Sequence, residues 1–381
     1  MSSLKDKYAI VGVGDTKYGK HPGLSHYDLN VIAIKEALED CGLTNKDVDC
    51  LLTKSPVSGF QWGYSSVVSE LIGIEPNVTG TIEAMGATCG VMVQIAMGMI
   101  EAGLCKVAVL TYGDNPVTGV NPYGGVAWEK MWGDPGMFGM YGAPAKYSLF
   151  ARRHMHQFGT KAEQFGAIKL ACCKHALLNP KAQLQKEVTI EQYMNSPMIA
   201  EPVRAFDSCL VSDGGGAVIV TSAEMAKSLK KKPVYVMGCG QYARPQQEYS
   251  KLNLMEGPAK RSGEIAFKMA GITPKDIDVA QIYDCFTVTA LITIEDYGFC
   301  KKGEGGPFVE GGRIELGGEL PVNTGGGMLA ECGLSGFQGI IEGVRQMRGE
   351  CGPRQVKDAE IGLVDNEGGT MQTRSTLILR R

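Results

Sequence analysis

Thiols dominate the chemistry this chain could carry. Its 381 residues include twelve cysteines but only five histidines: His21, His26, His154, His156 and His175. A thiolate is a strong nucleophile once a neighbour lowers its pKa, and a phenol or carboxylate beside it can move protons. Four segments hold such groups in close order with glycine. They are Gly86-Ala-Thr-Cys89, Tyr283-Asp-Cys-Phe286, Glu331-Cys-Gly-Leu-Ser-Gly336 and Val364-Asp-Asn-Glu-Gly-Gly369. No Cys-x-x-Cys pair occurs, so no metal site is expected within the chain. Cys41, Cys105, Cys172 and Cys239 lie in apolar stretches, where free cysteine behaves as a small hydrophobe, and a reducing compartment is expected. The 51 glycines cluster at 113–143, 303–339 and 362–369, which suits loops folding tightly around a ligand or partner.

The elements that must position these groups come in two copies. Ala37-Leu-Glu-Asp-Cys-Gly-Leu-Thr-Asn-Lys-Asp-Val-Asp49 returns as Ala266-Phe-Lys-Met-Ala-Gly-Ile-Thr-Pro-Lys-Asp-Ile-Asp278. Upstream of each copy an apolar strand ends in Gly-x-Gly, at Val11-Gly-Val-Gly14 and Met237-Gly-Cys-Gly240. The period is too long for a solenoid. Two duplicated α/β halves with a ligand where they meet are expected instead. The first half reads as strand Tyr8–Val13, helix His26–Cys41, strands Asp49–Leu52 and Gly80–Ile82, a long apolar helix Ala87–Ala102, and strands Val107–Thr111 and Ala217–Thr221. The second reads as strand Val234–Cys239, helix Ser262–Ala270, strand Val279–Ile282, helices Val288–Tyr297 and Gly336–Arg348, and strands Ala359–Val364 and Gln372–Leu379. Residues 1–113 with 206–230 are expected to form the N-terminal half, 114–205 an inserted loop domain with one helical stretch Tyr147–His175, and 231–381 the C-terminal half.

The net charge is −3 and no Lys/Arg run exceeds Lys230-Lys-Lys232, so neither nucleic acid nor a membrane surface is an expected partner. No secretory h-region or bilayer-length apolar run is read, and a cytoplasmic location is expected. Tyr112, Tyr123, Trp128, Trp132, Phe138 and Tyr141 suggest either an apolar or aromatic pocket or dimer packing.

Across nearly its whole length the chain resembles the thiolase superfamily, in the branch of sterol-carrier-protein thiolases. The motifs are Ala205-Phe-Asp-Ser-Cys-Leu-Val-Ser-Asp-Gly214, Tyr283-Asp-Cys-Phe-Thr287, Gly298-Phe-Cys-Lys-Lys-Gly-Glu304 and Pro321-Val-Asn-Thr-Gly-Gly-Gly327. The resemblance implies a thiolase fold: two duplicated mixed-sheet α/β halves forming a five-layered αβαβα core. It also implies a homodimer, coenzyme A as co-substrate with no intrinsically bound cofactor, acyl-CoA substrates, and a small zinc-ribbon/OB-fold partner subunit giving a heterotetramer.

Against that pattern the chain departs at its reactive positions. Where such enzymes carry a nucleophilic cysteine at the strand-to-helix elbow, this chain has Gly86, with Cys89 about one helical turn on. Gly333 falls on the family's activating histidine, beside Cys332. Tyr283 heads a segment similar to that of steroid side-chain-cleaving aldolases, which use tyrosine for proton transfer; a second aldolase tyrosine aligns with Gly333. Asn366 or Asp365 stands near the thiolase Cys-x-Gly, with Gly368 and Gly369 marking close backbone approach. Cys89, Tyr283, Cys285, Cys332 and Asn366 are therefore the expected catalytic set. Gly86, Arg152, Gly333, Gly368 and Gly369 are expected to bind substrate or CoA, while Arg152 and Arg153 equally suit a solvated helix face. His154 and His156 are expected on a helix surface. The leading expectation is thiolytic cleavage of a 3-oxoacyl-CoA; retro-aldol cleavage of a 3-hydroxyacyl-CoA and a non-catalytic acyl-CoA-binding role stand beside it.

Overall fold

The computed structural model describes residues 4–59, 61–120, 139–140, 142–244 and 253–381. Of the loop aromatics, Tyr123, Trp128, Trp132, Phe138 and Tyr141 lie outside the described residues. The chain opens with β1 (Tyr8–Asp15), α1 (His26–Cys41), β2 (Cys50–Thr53), α2 (Tyr64–Ile72), β3 (Val78–Thr81), α3 (Thr88–Glu101) and β4 (Val107–Asp114). Then come α4 (Gly142–Phe158), α5 (Ala162–Ala176), α6 (Ile190–Met194), the ribbon β5 (Met198–Ala200) and β6 (Val203–Arg204), and β7 (Gly214–Ser222). The rest holds α7 (Ala223–Ala226), β8 (Val234–Ala243), α8 (Ala259–Ala270), β9 (Val279–Gln281), α9 (Thr287–Asp296), α10 (Gly305–Val309), α11 (Gly327–Ala330), α12 (Phe337–Arg348), β10 (Ile361–Gly368) and β11 (Thr373–Arg380).

Hydrogen bonding links nine strands in the order β3-β2-β4-β7-β1-β8-β11-β10-β9. β1 and β8 pair only through Ala9/Tyr235 and Ile10/Val234, so the two sheets expected from sequence are two flanks joined by a narrow seam. Alternation along the strands sorts side chains into layers. On β1 and β7, Ala9, Val11, Ala217 and Ile219 meet α1 and α2 on one face. Their neighbours Ile10, Val13, Val218 and Val220 join Val364, Leu377 and Leu379 of the other flank around α3 and α12. Leu363 and Ile378 turn outward onto α8 and α9. The result is the five-layered αβαβα sandwich, with α3 and α12 in the middle layer.

The repeated segment is a packing device. Any Cβ on Gly12 would strike Ala37 O, and one on Gly238 would strike Ala266 O; Gly14 and Gly240 stand likewise against Ala33 O and Ser262 O. The glycines thus let α1 and α8 lie directly on their strands. Both helices then end on a left-handed glycine, Gly42 (φ 76°) and Gly271 (φ 72°). Thr44 and Thr273 follow, each donating its hydroxyl to the aspartate three residues on, Asp47 at 2.7 Å and Asp276 at 2.8 Å. Finally Asp49 accepts from Lys106 N (2.9 Å) and Val107 N (2.8 Å), and Asp278 from Glu360 N (2.8 Å) and Ile361 N (2.9 Å). Each aspartate pins the start of the neighbouring strand.

Two expectations need correction. The stretch Tyr147–His175 is two helices, not one, broken where Gly159 adopts φ 73°. His154 is not on a helix surface: it is fully buried, with Nδ1 2.7 Å from Thr160 Oγ1 and Nε2 3.1 Å from Glu295 Oε1. Helical spacing alone could not reveal that α9 covers that face of α4. No helix among the described residues is long and apolar enough to cross a membrane, and none of them form a metal-ligating His/Cys/Asp/Glu cluster.

Candidate active site

The elbow before α3 is a strained turn. Met85 has φ 53°, unusual for a residue with a side chain, and Thr88 locks the turn by accepting from Ala84 N (2.9 Å) and donating to Met85 O (2.6 Å). Gly86 sits in that turn with no room for a side chain. A Cβ built there would overlap Tyr283 Oη and Glu367 O and lie 2.6 Å from Tyr283 Cζ. The tyrosine hydroxyl occupies the space in which a residue-86 side chain would begin.

β10 delivers groups to both faces of its flank by strict alternation. Asp365 turns outward, accepting from Arg374 Nη1 (2.6 Å), Tyr297 Oη (2.5 Å) and Tyr283 N (3.2 Å). This buried ion pair therefore anchors the backbone that carries Tyr283. Asn366 turns inward, donating Nδ2 to Gly336 O at 3.2 Å, close to Cys89 and Gly90. Glu367 turns outward again, meeting Tyr147 of α4 and Cys285.

Cys89 and Cys332 belong to the middle-layer core, whereas Cys285 packs against the outer one. Cys89 is 1% exposed and donates to Ser335 O at 3.3 Å. Burial pushes its thiol up to about 12, and the amide N–H groups of Gly90 and Cys89 at the helix start recover only part of that. Cys332 is fully buried in the middle layer; burial, then the charges of Glu331 and Asp15, push its thiol well up. Neither is an activated thiol. Cys285 is different, because the residue is only partly buried, and its sulfur lies 3.3 Å from Tyr147 Oη and 3.4 Å from Glu367 Oε2. Burial and the Glu367 charge still hold it protonated.

Asp284, between Tyr283 and Cys285, accepts from Met328 N (2.7 Å) and Leu329 N (3.3 Å) at the start of α11; burial nonetheless pushes its carboxyl up to about 6. A narrow cleft is lined by Tyr283, Asp284, Asn323, Gly336, Gln338 and Asn366. The second and fourth motifs act as clamps on this wall. Asn323 Oδ1 accepts from Ile282 N at 2.7 Å, just before Tyr283. In the first motif, Asp207 accepts from Tyr193 Oη (2.6 Å) and Asp213 from Val117 N (2.7 Å).

The remaining expected site residues are placed as follows. At Gly333, N donates to Ser212 Oγ (3.0 Å) and a Cβ would strike Leu210 O, so no side chain could stand there. Gly368 lies against Ala84 O of the elbow, and Gly369 (φ 72°) accepts from Tyr147 Oη at 2.7 Å. Arg152 has a side chain 61% exposed and pairs with Glu201 at 3.0 Å, the solvated-face alternative. Sequence reasoning missed Tyr147 and Glu367. Period-two alternation along β10 would have put Glu367 opposite Asn366, but nothing local links it to Tyr147, more than two hundred residues away.

At the elbow, then, a tyrosine hydroxyl crowds Gly86 and the cysteine one turn on is buried with its thiol pushed up. A family model described as "Thiolase C-terminal domain-like" matches residues 240–381. The "Acetyl-CoA acetyltransferase" of Methanothermobacter thermautotrophicus is 33% identical over 98% of this chain and 99% of its own length. The chain belongs to the thiolase superfamily. This thiolase-superfamily chain is also 36% identical to the "17-hydroxy-3-oxo-4-pregnene-20-carboxyl-CoA lyase" of Mycobacterium tuberculosis, over 91% of the chain and 92% of the relative. Among solved structures it superposes on an "Ltp2-ChsH2(DUF35) aldolase" with a TM-score of 0.90 at 34% identity, covering 100% of this chain and 99% of that one. Its relatives thus include both acyltransferases and carbon–carbon lyases.

Proposed function

We propose that this chain is a lyase that cleaves a carbon–carbon bond of a 3-hydroxyacyl-CoA by retro-aldol chemistry, with the Tyr283 hydroxyl as the donor that holds the enolate. One observation carries the reading: the Tyr283 hydroxyl fills the space at Gly86 where a thiolase nucleophile would start. Covalent thiolysis needs an activated sulfur at the helix N-terminus. Cys89 and Cys332 are buried with raised pKa values instead. Retro-aldol cleavage needs no covalent intermediate. The 3-hydroxyl loses its proton, the C2–C3 bonding pair moves to C2, and the thioester enolate is held by a donor. A phenol at the elbow is suited to donate to that enolate oxygen, and Asn366 stands on the adjoining wall. The names of the mycobacterial relative and of the structural neighbour support the same class.

With this reading go a homodimer and a small zinc-ribbon/OB-fold partner subunit; the two-component name of the structural neighbour supports the partner. The test is to purify the full chain with its partner and offer matched 3-hydroxy and 3-oxo thioesters. Cleavage of the alcohol without added CoA, abolished by Tyr283→Phe and retained by Cys89→Ala and Cys332→Ala, is the expected result. CoA-dependent cleavage of the ketone that dies with a cysteine substitution would replace this reading with thiolysis.

A further inference from the structure

A single phenol cannot both hold the enolate and take the hydroxyl proton, and Gly333 leaves no second tyrosine in the position the aldolases use. A further hydrogen-bonded cluster lies against the elbow. Glu367, whose own backbone oxygen crowds Gly86, is buried and accepts from Tyr147 Oη (3.0 Å), Met371 N (2.5 Å) and Cys285 Sγ (3.4 Å). Tyr147 is buried too, stacked on Phe286 at 4.4 Å between ring centroids. Of the three residues only Cys285 is not fully buried. It immediately follows Tyr283 and Asp284 of the cleft wall. Cys285 is therefore the member of the cluster placed to meet a ligand.

We propose that Cys285, Tyr147 and Glu367 form the proton relay of this site, with Glu367 storing the proton that the substrate hydroxyl gives up. The inference rests on the lyase reading above. The 3-hydroxyl O–H bond breaks and its proton moves to Cys285 Sγ while the Sγ–H proton moves to Glu367 Oε2. The freed oxygen pair forms the C3=O bond, and the C2–C3 pair leaves on C2 as the enolate. The proton then returns from Glu367 through Cys285 to C2, so the cycle closes with no net proton and no redox change. Cys285 is the member that meets substrate; Glu367 acts through it as the proton store, and Tyr147 is a positioning residue. Burial raises the Glu367 carboxyl above its usual range, the direction that favours taking up a proton. The titratable groups facing it are Tyr147 from α4, Cys285 and Cys209 beside it, Arg374 from β11 and Arg244 at the end of β8.

The relay can be tested without substrate. Alkylation of Cys285 by iodoacetamide is followed by peptide mass spectrometry across pH, in wild type, Glu367→Gln and Tyr147→Phe. Removing the Glu367 charge is expected to raise the Cys285 rate at pH 8 by about tenfold, the equivalent of one pKa unit. Tyr147→Phe, which keeps that charge, is expected to change the rate by about threefold and serves if Glu367→Gln fails to fold. With the hydroxy thioester, Glu367→Gln is expected to lower kcat by about 10²-fold or more while KM stays within about twofold. Alkylation rates unchanged in both variants, in an enzyme that cleaves the alcohol, overturn the relay alone. A wild type that cleaves no hydroxy thioester overturns the lyase reading and the relay's use together.

Discussion

The two halves of this molecule are alike where they pack and unlike where they react. In both, a Gly-x-Gly strand carries a helix, a left-handed glycine ends it, and a threonine–aspartate turn leads to an aspartate that pins the next strand. At the active end the symmetry vanishes. The N-terminal half offers only a helix start with Gly86, whereas the C-terminal half supplies Tyr283, Asp284, Cys285, Asn366 and Glu367. Duplication thus preserved backbone-to-backbone contacts, which tolerate no extra atom. The loops between them carry no such constraint.

The sharpest way to break this comparison is at Tyr283. Tyr283→Phe should lower kcat by about 10²–10⁴-fold with the melting temperature nearly unchanged, measured by steady-state cleavage and calorimetry. A drop below tenfold would return the chemistry to another residue.

Next in size is a pH effect. Folding raises the Asp284 pKa from 3.8 to about 6, so the folded chain holds that proton more tightly than the unfolded one. Its stabilising contribution is complete below about pH 3.8 and is lost as pH rises through about 6, to at most about 3 kcal/mol. Asp284→Asn should flatten the stability curve between pH 4 and 6 relative to wild type in denaturant titrations.

A smaller effect probes the symmetry itself. Gly12→Ala and Gly238→Ala should each destabilise by about 1–3 kcal/mol through overpacking against α1 and α8. Equal losses in chemical denaturation support equivalent packing roles; a clear inequality would show that one copy has drifted. Smallest of all, Cys89→Ala should leave kcat within about threefold, because its thiol is buried and protonated.

Residues near one another in sequence made much of this legible. The repeat at 37–49 and 266–278 and the Gly-x-Gly strands follow from local spacing, since each encodes contacts between a strand and the helix that follows it, whereas the elbow at Gly86 was read from the family resemblance. Helix boundaries mostly fell within a few residues; the break at Gly159 did not show, because glycine at a helix end and glycine within one look alike in sequence.

What the linear chain determined is the αβ duplication and the loss of a side chain at the elbow, both written in glycines whose neighbours lie within a strand, a turn or a helix. It did not determine which group fills the space left at Gly86, nor that Cys332 turns into the core while Cys285 meets Glu367. Those depend on segments far apart in the chain, 82 residues for Cys285 and Glu367, packing at a few ångströms, where burial and a neighbour's charge set whether a thiol or carboxyl keeps its proton. Only the tertiary structure could decide them.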